Sequence, residues 1–529
     1  MSGSPTKVIF LWHMHQPSYK HPAKEHYYVL PWVRLHGVKD YYGMAKLVEK
    51  FDNVKVAFNF SGVLLEQIFD YVKNRAQDYY GTLSLQNPEH LNSREKGFIV
   101  DRFFSINFER FIRPQKRYLQ LYNKKLSRKP NFTSQDIRDL QALFNLCWFH
   151  PYTIKKDNNL RQIISKEKNY TKDDLNYIID KQYQILDLII PLYKKLLSQG
   201  KIELTITPHH HPIMPLIYDT DVLSHTPYLK KPHSRFSAPA DCNWHLRKAL
   251  DTCKQVLDYT PKGSWPSEGS VSEEVLSVYA QEGFQWVGTD ETILFKSLMT
   301  ENVSYDLIKN QRHILYQPYK FRGVNIFFRD RNLSDTLSFV YQGWEDPVFA
   351  ANDLLEHLKR THYFSKELLK ERAITIIMDG ENAWEYYNNN GVEFLETIYS
   401  ALERSHILTT STPSQFLNHT HSRPLERLAS GSWINGDFSV WAGSKENNNY
   451  WELLRKIKDL IDKDARKKNK KENFQKALDN FYLIEGSDWF WWNTFEDVSG
   501  EFKKLFFSYA EQIYRALGKK APASLKKYG

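Results

Sequence analysis

The sequence predicts an α/β fold in which a mainly parallel β-sheet, open or closed into a barrel, alternates with helices. Two observations support this prediction. Short apolar strands alternate with helical segments over about 400 residues, which is the pattern of parallel β/α units. In addition, four polar clusters (HMHQP, PHHHP, PSEGS and DGEN) each follow directly on a predicted strand. In a barrel, such positions gather at the carboxyl-end face of the strands, where enzymes of this architecture keep their sites.

The predicted strands are short and rich in β-branched or aromatic residues. The strongest is AITIIM at residues 373–378, which ends at DGE. The first, KVIFLW, continues directly into HMHQP. The predicted strands cover residues 7–12, 54–60, 202–207, 263–265, 284–288 and 373–378.

The helical segments between them show apolar residues at a period of about 3.6. The longest covers residues 173–199; Pro191 is expected to kink or divide it, and Gly200 to end it. Ser272 is an expected N-cap. Residues of about 70–150 are charged and aromatic, and we predict a helical insertion there. Further helices are predicted at residues 62–73, 241–257, 272–282 and 392–405.

The character of the chain changes near residue 410. A turn-like stretch, TTSTPSQ, is followed from residue 447 by three helical patterns. We therefore predict two domains: residues 1–410 with the alternating strands and helices, and residues 411–529 as a helical C-terminal domain that contributes to the active-site cleft.

Composition restricts the classes of function. No apolar stretch reaches the roughly 18 residues needed to span a bilayer, and the N-terminus has no signal-peptide pattern. The three cysteines form no C-x-x-C pair and fit reduced thiols. These features predict a cytoplasmic protein with no membrane partner. The formal charge is +10, but no nucleic-acid motif accompanies it, so the run KKNKK at residues 467–471 is interpreted as solvated surface. The oligomeric state stays open.

Three carboxylates are candidates for acid–base chemistry. Glu268 follows a predicted strand beside Trp265, and Asp379 and Glu381 follow the most apolar strand. Alone, Glu268 could simply favour the N-terminus of the next helix, and the acidic pair could cap a turn. Together, Glu268 and Asp379 provide what glycoside hydrolysis needs, with one carboxylate acting at the anomeric carbon and the other donating a proton.

Histidines form the second candidate group. His13 and His15 alternate on an extended segment and point to the same face. They could bind a metal together with His211 and Asp379, as in a metal-dependent polysaccharide deacetylase. No H-E-x-x-H pattern is present, however, and three consecutive histidines on a strand cannot all face one centre. The alternative is that His13, His15 and His211 bind a sugar.

Aromatic residues beside acids form the third group. The tract GSDWFWW places Asp488 next to Trp489, and GSWINGDFSVW contains Trp433. Half of such rings are expected to pack in the core. The others could offer a flat face to a pyranose ring, with Asp488 bonding its hydroxyl groups.

These motifs together resemble, in order, the five sequence regions of glycoside hydrolase family 57. They are HQP, GKIELTITPHHHPIMPL, SWPSEGSVSEE, MDGENAWEYY and EGSDWFWW. RDRNLSDTLSFVY and GSWINGDFSVWAG are similar to the α-amylase and amylopullulanase branch. The resemblance implies an irregular (β/α)7 barrel followed by a helical bundle, and a retaining mechanism on α-glucans without a metal or other cofactor.

The resemblance also implies roles for residues. Glu268 falls on the nucleophile and Asp379 on the general acid/base. His13, His15, His211, Glu381 and Asp488 fall on or near residues that line the glycone subsite. Together with Trp265, Trp433 and Trp489, which the aromatic patterns above add, they form the predicted substrate-binding set. The expected partner is a glycogen, starch or maltodextrin chain with α-1,4 and possibly α-1,6 linkages. A 4-α-glucanotransferase or branching-type transglycosylase, a metal-dependent deacetylase and a non-catalytic glucan-binding protein are the alternatives.

Overall fold

The computed structural model describes residues 4–301, 303–304, 310–465, 471–495, 497 and 500–526. The α/β class is confirmed, because strands alternate with helices along most of the chain. The strands are β1 Thr6–Met14, β2 Tyr27–Tyr28, β3 Val56–Ser61, β4 Gln77–Asp78, β5 Ile202–Thr207, β6 Gly263–Ser264, β7 Trp286–Asp290, β8 Tyr319–Phe321, β9 Val324–Arg329, β10 Ala373–Asp379, β11 Leu408–Thr410 and β12 Arg423–Pro424.

The first large sheet has the order β10-β1-β3-β5, and β11 pairs with β1. All of these pairs are parallel. The register places His13 opposite both Asp379 and Asn59. Because the strands are parallel, their carboxyl ends lie at one edge of the sheet, and three polar side chains from distant parts of the sequence become neighbours there.

The second large sheet has the order β12-β8-β9-β7-β6. Strands β6, β7 and β9 are parallel to one another, whereas β8 and β9 form an antiparallel hairpin. Arg322 and Gly323 at its tip both have positive φ, as two-residue hairpin turns require. The register places Asp290 opposite Arg329 at the carboxyl ends of β7 and β9.

The two sheets adjoin at both of their sides. Beside β10, the N–H of Asp330 donates to the carbonyl of Thr375 at 2.8 Å. Beside β5, the hydroxyl of Thr207 donates to the carbonyl of Trp265 at 2.7 Å. Seven parallel strands (β5, β3, β1, β10, β9, β7 and β6) therefore follow one another in space.

A separate apolar cluster fills the space between the two sheets. It combines Ile9 and Leu11 of β1 with Ile377 of β10 and, from the second sheet, Trp286 and Phe327. Full burial of each such aliphatic side chain contributes roughly 1.5–3 kcal/mol to the free energy of unfolding. Since side chains alternate along a strand, the next residues in the rows of β1, β10 and β9 are His13, Asp379 and Arg329. The polar residues at the carboxyl ends of the strands thus continue the rows of apolar side chains that fill the space between the two sheets.

The long helix Lys172–Ser198 contains Pro191 without being divided, so the predicted division is wrong. Pro191 lies on the exposed side of the helix, where water can bond the carbonyl that loses its N–H partner.

The α-helices span Trp32–His36, Tyr42–Glu49, Gly62–Lys73, Tyr79–Leu85, Ser93–Arg102, Lys116–Leu126, Ser134–Leu146, Pro151–Lys156, Asn158–Ser165, Lys172–Ser198, Met214–Tyr218, Pro239–Leu257, Glu273–Gln281, Glu291–Thr300, Arg331–Asp335, Pro347–Ser365, Val392–Arg404, Pro413–Leu417, Lys445–Ala465, Lys471–Ile484, Asp488–Thr494, Glu501–Ala516 and Ala523–Lys526.

The last 85 residues hold the helices that follow the sheets, from Lys445–Ala465 to Ala523–Lys526. The domain boundary at residue 410 stays a prediction. Residues 467–470 of the KKNKK run lie outside the described residues. In the described part of the chain, no helix has the length and apolar character needed to cross a membrane.

Candidate active site

A cavity of about 760 Å³ opens at the carboxyl ends of the strands. Members of all four polar clusters predicted at strand ends line it. From the sequence-predicted set, the cavity contains His13, His15, His211, Trp265, Glu268, Asp379, Glu381, Trp433 and Asp488.

The histidines of the first strand are held by the neighbouring strand β3. The side-chain oxygen of Asn59 accepts a hydrogen bond from Nδ1 of His13 at 2.6 Å and lies 2.7 Å from the Thr207 hydroxyl, whose one proton it shares with the carbonyl of Trp265. Since Nδ1 of His13 donates, its Nε2 is an acceptor, and it receives the Nε2–H of His211 at 3.3 Å. Nδ1 of His211 then accepts from the Ser487 hydroxyl at 2.8 Å. This network fixes the tautomer of both rings.

The three rings differ in charge. Burial, together with the nearby His15, lowers the pKa of His13 to about 3. Burial and the other two rings lower the pKa of His211 well below its usual value. Burial also opposes the charged form of His15, but the Asp488 carboxylate, 3.0 Å from its Nε2, outweighs this and raises its pKa. Of the three rings, His15 is therefore the one whose surroundings favour the charged form.

The geometry of the rings bears on the metal alternative. His15, His211 and Asp488 hold possible ligand atoms within 4.8 Å of one another. The rings of His15 and His211 are stacked, however, with centroids 3.8 Å apart and planes 10° apart. Lone pairs of parallel rings lie in parallel planes, whereas a tetrahedral ion needs them to converge. In addition, both nitrogens of each ring already bond protein groups: those of His15 bond Ser61 and Asp488, and those of His211 bond Ser487 and His13.

Of the three consecutive histidines, His211 alone lines the cavity within the described part of the chain. Its φ of 58° lies in the left-handed region and turns the chain after β5. Nε2 of His209 lies 3.2 Å from Glu66, and the ring of His210 stacks on Trp244.

The metal alternative can be tested directly. If the histidines bind a sugar, prolonged treatment with a chelator should leave turnover of the enzyme's substrate unchanged. Loss of activity that added zinc restores would instead support the metal-dependent reading. Elemental analysis of the same sample is the matched control, because it shows whether the chelator removed a bound ion.

Glu268 is held in a strained turn just after β6. Its φ of 56° is left-handed, and Gly269 follows with a φ of 58°. A Cβ at Gly269 would lie 2.6 Å from the Trp265 ring, so glycine is needed for this close approach. The indole N–H of Trp433 donates to Oε2 of Glu268 at 2.7 Å. Strain of this kind is typical of functional positions.

Asp379 ends β10 and, like Glu268, is a partly buried carboxyl. Burial raises the pKa of Glu268 to about 8, the Trp433 hydrogen bond opposes the rise, and Asp379 adds to it. Burial raises the pKa of Asp379 to about 6, opposed by the charges of His15 and Arg329. The charge of Asp379 therefore affects the protonation of Glu268 across the cavity.

Glu381 lies two residues beyond Asp379. Its Oε1 accepts from the side chain of Gln16 at 2.7 Å. Burial raises the pKa of Glu381 to about 7, against the effect of His36 and of hydrogen bonds from Tyr41 and Gln16. The carboxyl lies at the wall of the cavity, only 2% exposed, and is held by the protein.

The helix Asp488–Thr494 completes one wall of the cavity. Residues three and four apart share a helix face, so Asp488, Trp491 and Trp492 line the cavity together. The structure places Trp489 elsewhere, as a correction to the sequence-predicted set. Its N–H donates to the carbonyl of Leu483, and its ring packs beside Tyr509. Helix phase explains this, because Trp489 is one residue out of step with Asp488.

Sequence reasoning missed several aromatic residues that line the cavity. They come from helices and loops rather than strand ends, so no strand-end signal marks them. They are Trp32, Tyr80, Trp148, Tyr386 and Phe502. Trp491 and Trp492, in contrast, belong to the GSDWFWW tract that the sequence had indicated.

Comparison with known proteins gives one family match and several structural matches. The profile of the family described as glycosyl hydrolase family 57 matches residues 9–428. No curated protein sequence matches significantly.

Three solved structures show the same fold. A branching enzyme from Thermococcus kodakaraensis in complex with glucose is 15% identical, with a TM-score of 0.62 over 100% of this chain and 94% of that one. An α-amylase, AmyC, from Thermotoga maritima is 13% identical, with a TM-score of 0.62 over 99% and 96%. A 4-α-glucanotransferase from Thermococcus litoralis is 14% identical, with a TM-score of 0.53 over 97% and 60%.

Proposed function

Because this chain belongs to glycosyl hydrolase family 57, whose profile covers most of its length, we propose that it is a retaining enzyme acting on α-glucans. The reaction that we propose is hydrolysis of α-1,4 linkages in glycogen, starch or maltodextrin. Transfer of a glucan chain to a sugar hydroxyl uses the same intermediate and is the alternative.

One observation carries the proposal. Glu268 and Asp379, more than a hundred residues apart in sequence, open onto the same cavity, and each is buried enough for its pKa to rise. Paired carboxyls at a sugar-sized cavity are the apparatus of glycoside cleavage. We further propose that the seven consecutive parallel strands form a closed (β/α)7 barrel, since hydrogen bonds join the two sheets at both sides.

The proposed reaction has two steps. In the first, a carboxylate oxygen of Glu268 attacks the anomeric carbon. The bond to the leaving oxygen breaks, and Asp379 gives that oxygen its proton. In the second, Asp379 takes a proton from water or a sugar hydroxyl, whose oxygen attacks the same carbon and releases Glu268 from the ester. Two inversions at one carbon retain its configuration.

Before substrate binds, the pKa of Glu268 lies above that of Asp379, so Glu268 is the more easily protonated of the two carboxyls. Interacting carboxyls titrate together, so the pair holds one proton between about pH 6 and pH 8. The mechanism needs this proton on Asp379. A glycosidic oxygen beside Asp379 favours that state because it can accept a hydrogen bond only from the neutral acid.

The pair predicts a bell-shaped pH dependence of kcat/KM. Below about pH 6, both carboxyls are protonated and the nucleophile is neutral; above about pH 8, both are ionised and no acid remains. We therefore expect limbs near pH 6 and pH 8, measured with a maltooligosaccharide over pH 4–10 at constant ionic strength. Full activity at pH 4.5, where both carboxyls would be neutral, would contradict this assignment.

The rest of the cavity supports an α-glucan as substrate. Besides Glu268 and Asp379, the polar residues His15, His211 and Glu381 line it. Trp32, Trp491 and other aromatic residues line it as well, and we infer that some of them pack against successive sugars. Glucose was bound in the branching enzyme of the same fold. The three cysteines are free and buried, and we propose the cytoplasm as the compartment.

Product analysis tests the proposed function. The enzyme is incubated with maltoheptaose and with pullulan, and the products are separated by chromatography while NMR follows the first-formed anomer. Shorter maltooligosaccharides in the α configuration are expected. Longer oligosaccharides would identify transfer, and maltotriose from pullulan would identify α-1,6 cleavage. First-formed β products would contradict retention, and inertness toward all α-glucans would overturn the proposal.

A further inference from the structure

Arg329 lies next to the candidate catalytic carboxyls but outside the residues that line the cavity. It ends β9, on the inward-facing row above Phe327, and it is only 3% exposed. Its Nε donates to Oδ2 of Asp290 at 2.8 Å, and its Nη2 to Asp335. These two carboxylates outweigh the cost of burial and raise the pKa of Arg329, so the guanidinium stays charged.

The first link runs from Arg329 to Glu268. The guanidinium carbon lies 4.8 Å from the centroid of the Trp433 ring, within reach of a cation–π contact. The N–H of that ring donates to Oε2 of Glu268, and the backbone N–H of Trp433 donates to the carbonyl of Glu268 at 3.0 Å. The flat guanidinium thus supports one face of the indole that holds the Glu268 carboxylate.

The second link runs from Arg329 to Asp379. Nη1 of Arg329 donates to the carbonyl of Ile377 at 3.0 Å, two residues before Asp379 on the same strand. The charge of Arg329 also opposes the rise in the pKa of Asp379. One buried cation therefore contacts the supports of both carboxyls, which come from different sheets or the turns that follow them.

We propose that Arg329 is a positioning residue for both reacting carboxyls: it holds Trp433 against Glu268 and braces the end of β10 beneath Asp379. This inference rests on the proposed function for its kinetic consequences, but the contacts predict a change in carboxyl titration that needs no turnover.

The sign of the change follows from the contacts. Without the guanidinium, Asp379 loses a nearby positive charge, and Glu268 loses a well-placed donor. Each loss disfavours the carboxylate, so both pKa values rise. Lysine at this position keeps the charge but cannot combine the contact with the Trp433 ring with hydrogen bonds to Asp290, Asp335 and Ile377, as arginine does. It should therefore raise the pKa of Glu268 more than that of Asp379.

The test compares Arg329→Met and Arg329→Lys with Arg312→Lys. Arg312 is a matched control, since it also pairs with carboxylates, Glu291 and Asp330, at the same end of the second sheet. For Arg329→Met we expect kcat to fall about 10²-fold, as when reacting groups are displaced by about 1 Å, with KM unchanged. Both limbs of the pH profile should move to higher pH. In Arg312→Lys they should stay in place.

Infrared difference titration measures the pKa values of the two carboxyls independently of activity. The variants Glu268→Gln and Asp379→Asn assign the bands. Higher titration midpoints in the Arg329 variants support the proposal even if the wild-type protein cleaves no α-glucan, an outcome that would refute only the proposed function. A folded Arg329 variant that keeps the wild-type titration midpoints and kcat would overturn the proposal. If Arg329→Met does not fold, Arg329→Lys provides this test.

Discussion

Replacement of Glu268 by glutamine is expected to lower kcat on α-glucans by roughly 10⁴-fold or more, in line with the loss when a nucleophile is removed from other enzymes. The amide has the shape of the carboxylate but cannot form the glycosyl ester. The hydrogen bond from Trp433 can still be accepted by the amide oxygen. Steady-state kinetics on maltoheptaose measures the effect.

The fold of this variant should be intact and, at alkaline pH, more stable than the wild type. The pKa of Glu268 is raised to about 8, so its burial destabilises the folded protein progressively as the pH rises from the unfolded value of about 4.5 through 8. Glutamine has no such penalty, and melting at pH 9 should occur at higher temperature. Glu274→Gln, an exposed carboxyl on the next helix, is the matched control for kinetics. Glu268→Gln with more than a few per cent of wild-type kcat would remove Glu268 from its role.

Replacement of Asp379 by alanine is expected to lower kcat on maltoheptaose by roughly 10²–10⁴-fold, the usual contribution of a general acid–base group. The loss should depend on the leaving group. An α-maltosyl fluoride needs no proton to depart, so Glu268 should still form the ester at a rate near that of the wild type. The ester should then accumulate, because no base activates water.

Azide distinguishes the two carboxyls by stereochemistry. With Asp379→Ala, azide attacks the ester on Glu268 and should give an α-glycosyl azide. With Glu268→Ala, azide occupies the space of the lost carboxylate and should give the β product directly from the fluoride. NMR of the isolated azides measures both outcomes. If the two products were exchanged, the roles assigned to Glu268 and Asp379 would have to be exchanged as well.

Local sequence patterns predicted the parts of the site that follow strands. His13, Glu268 and Asp379 each lie at or just after the end of a predicted strand, and parallel strands bring such positions to one edge. The α/β class followed from the same alternation. The resemblance to family 57 was confirmed by the profile match.

Other parts of the site depend on information that a linear pattern does not contain. Tyr80 comes from a helix and Trp148 from the turn that follows one, and their aromatic side chains cannot be distinguished in sequence from core residues. The position of Trp489 depended on the phase of a helix whose start was not predicted. The role inferred for Arg329 depends on the register of β7 with β9 and on a tryptophan about a hundred residues further along the chain.

The central claim is that Glu268 forms a covalent bond with the anomeric carbon. An α-maltosyl fluoride with a second fluorine on C5 of the reacting sugar slows both steps, while its leaving group keeps the first step faster than the second. Incubation followed by proteolysis and mass spectrometry should therefore find a maltosyl label on the peptide that contains Glu268, and no label in Glu268→Gln. A label on Asp379, or turnover of the reagent with inverted products and no labelled peptide, would contradict the account.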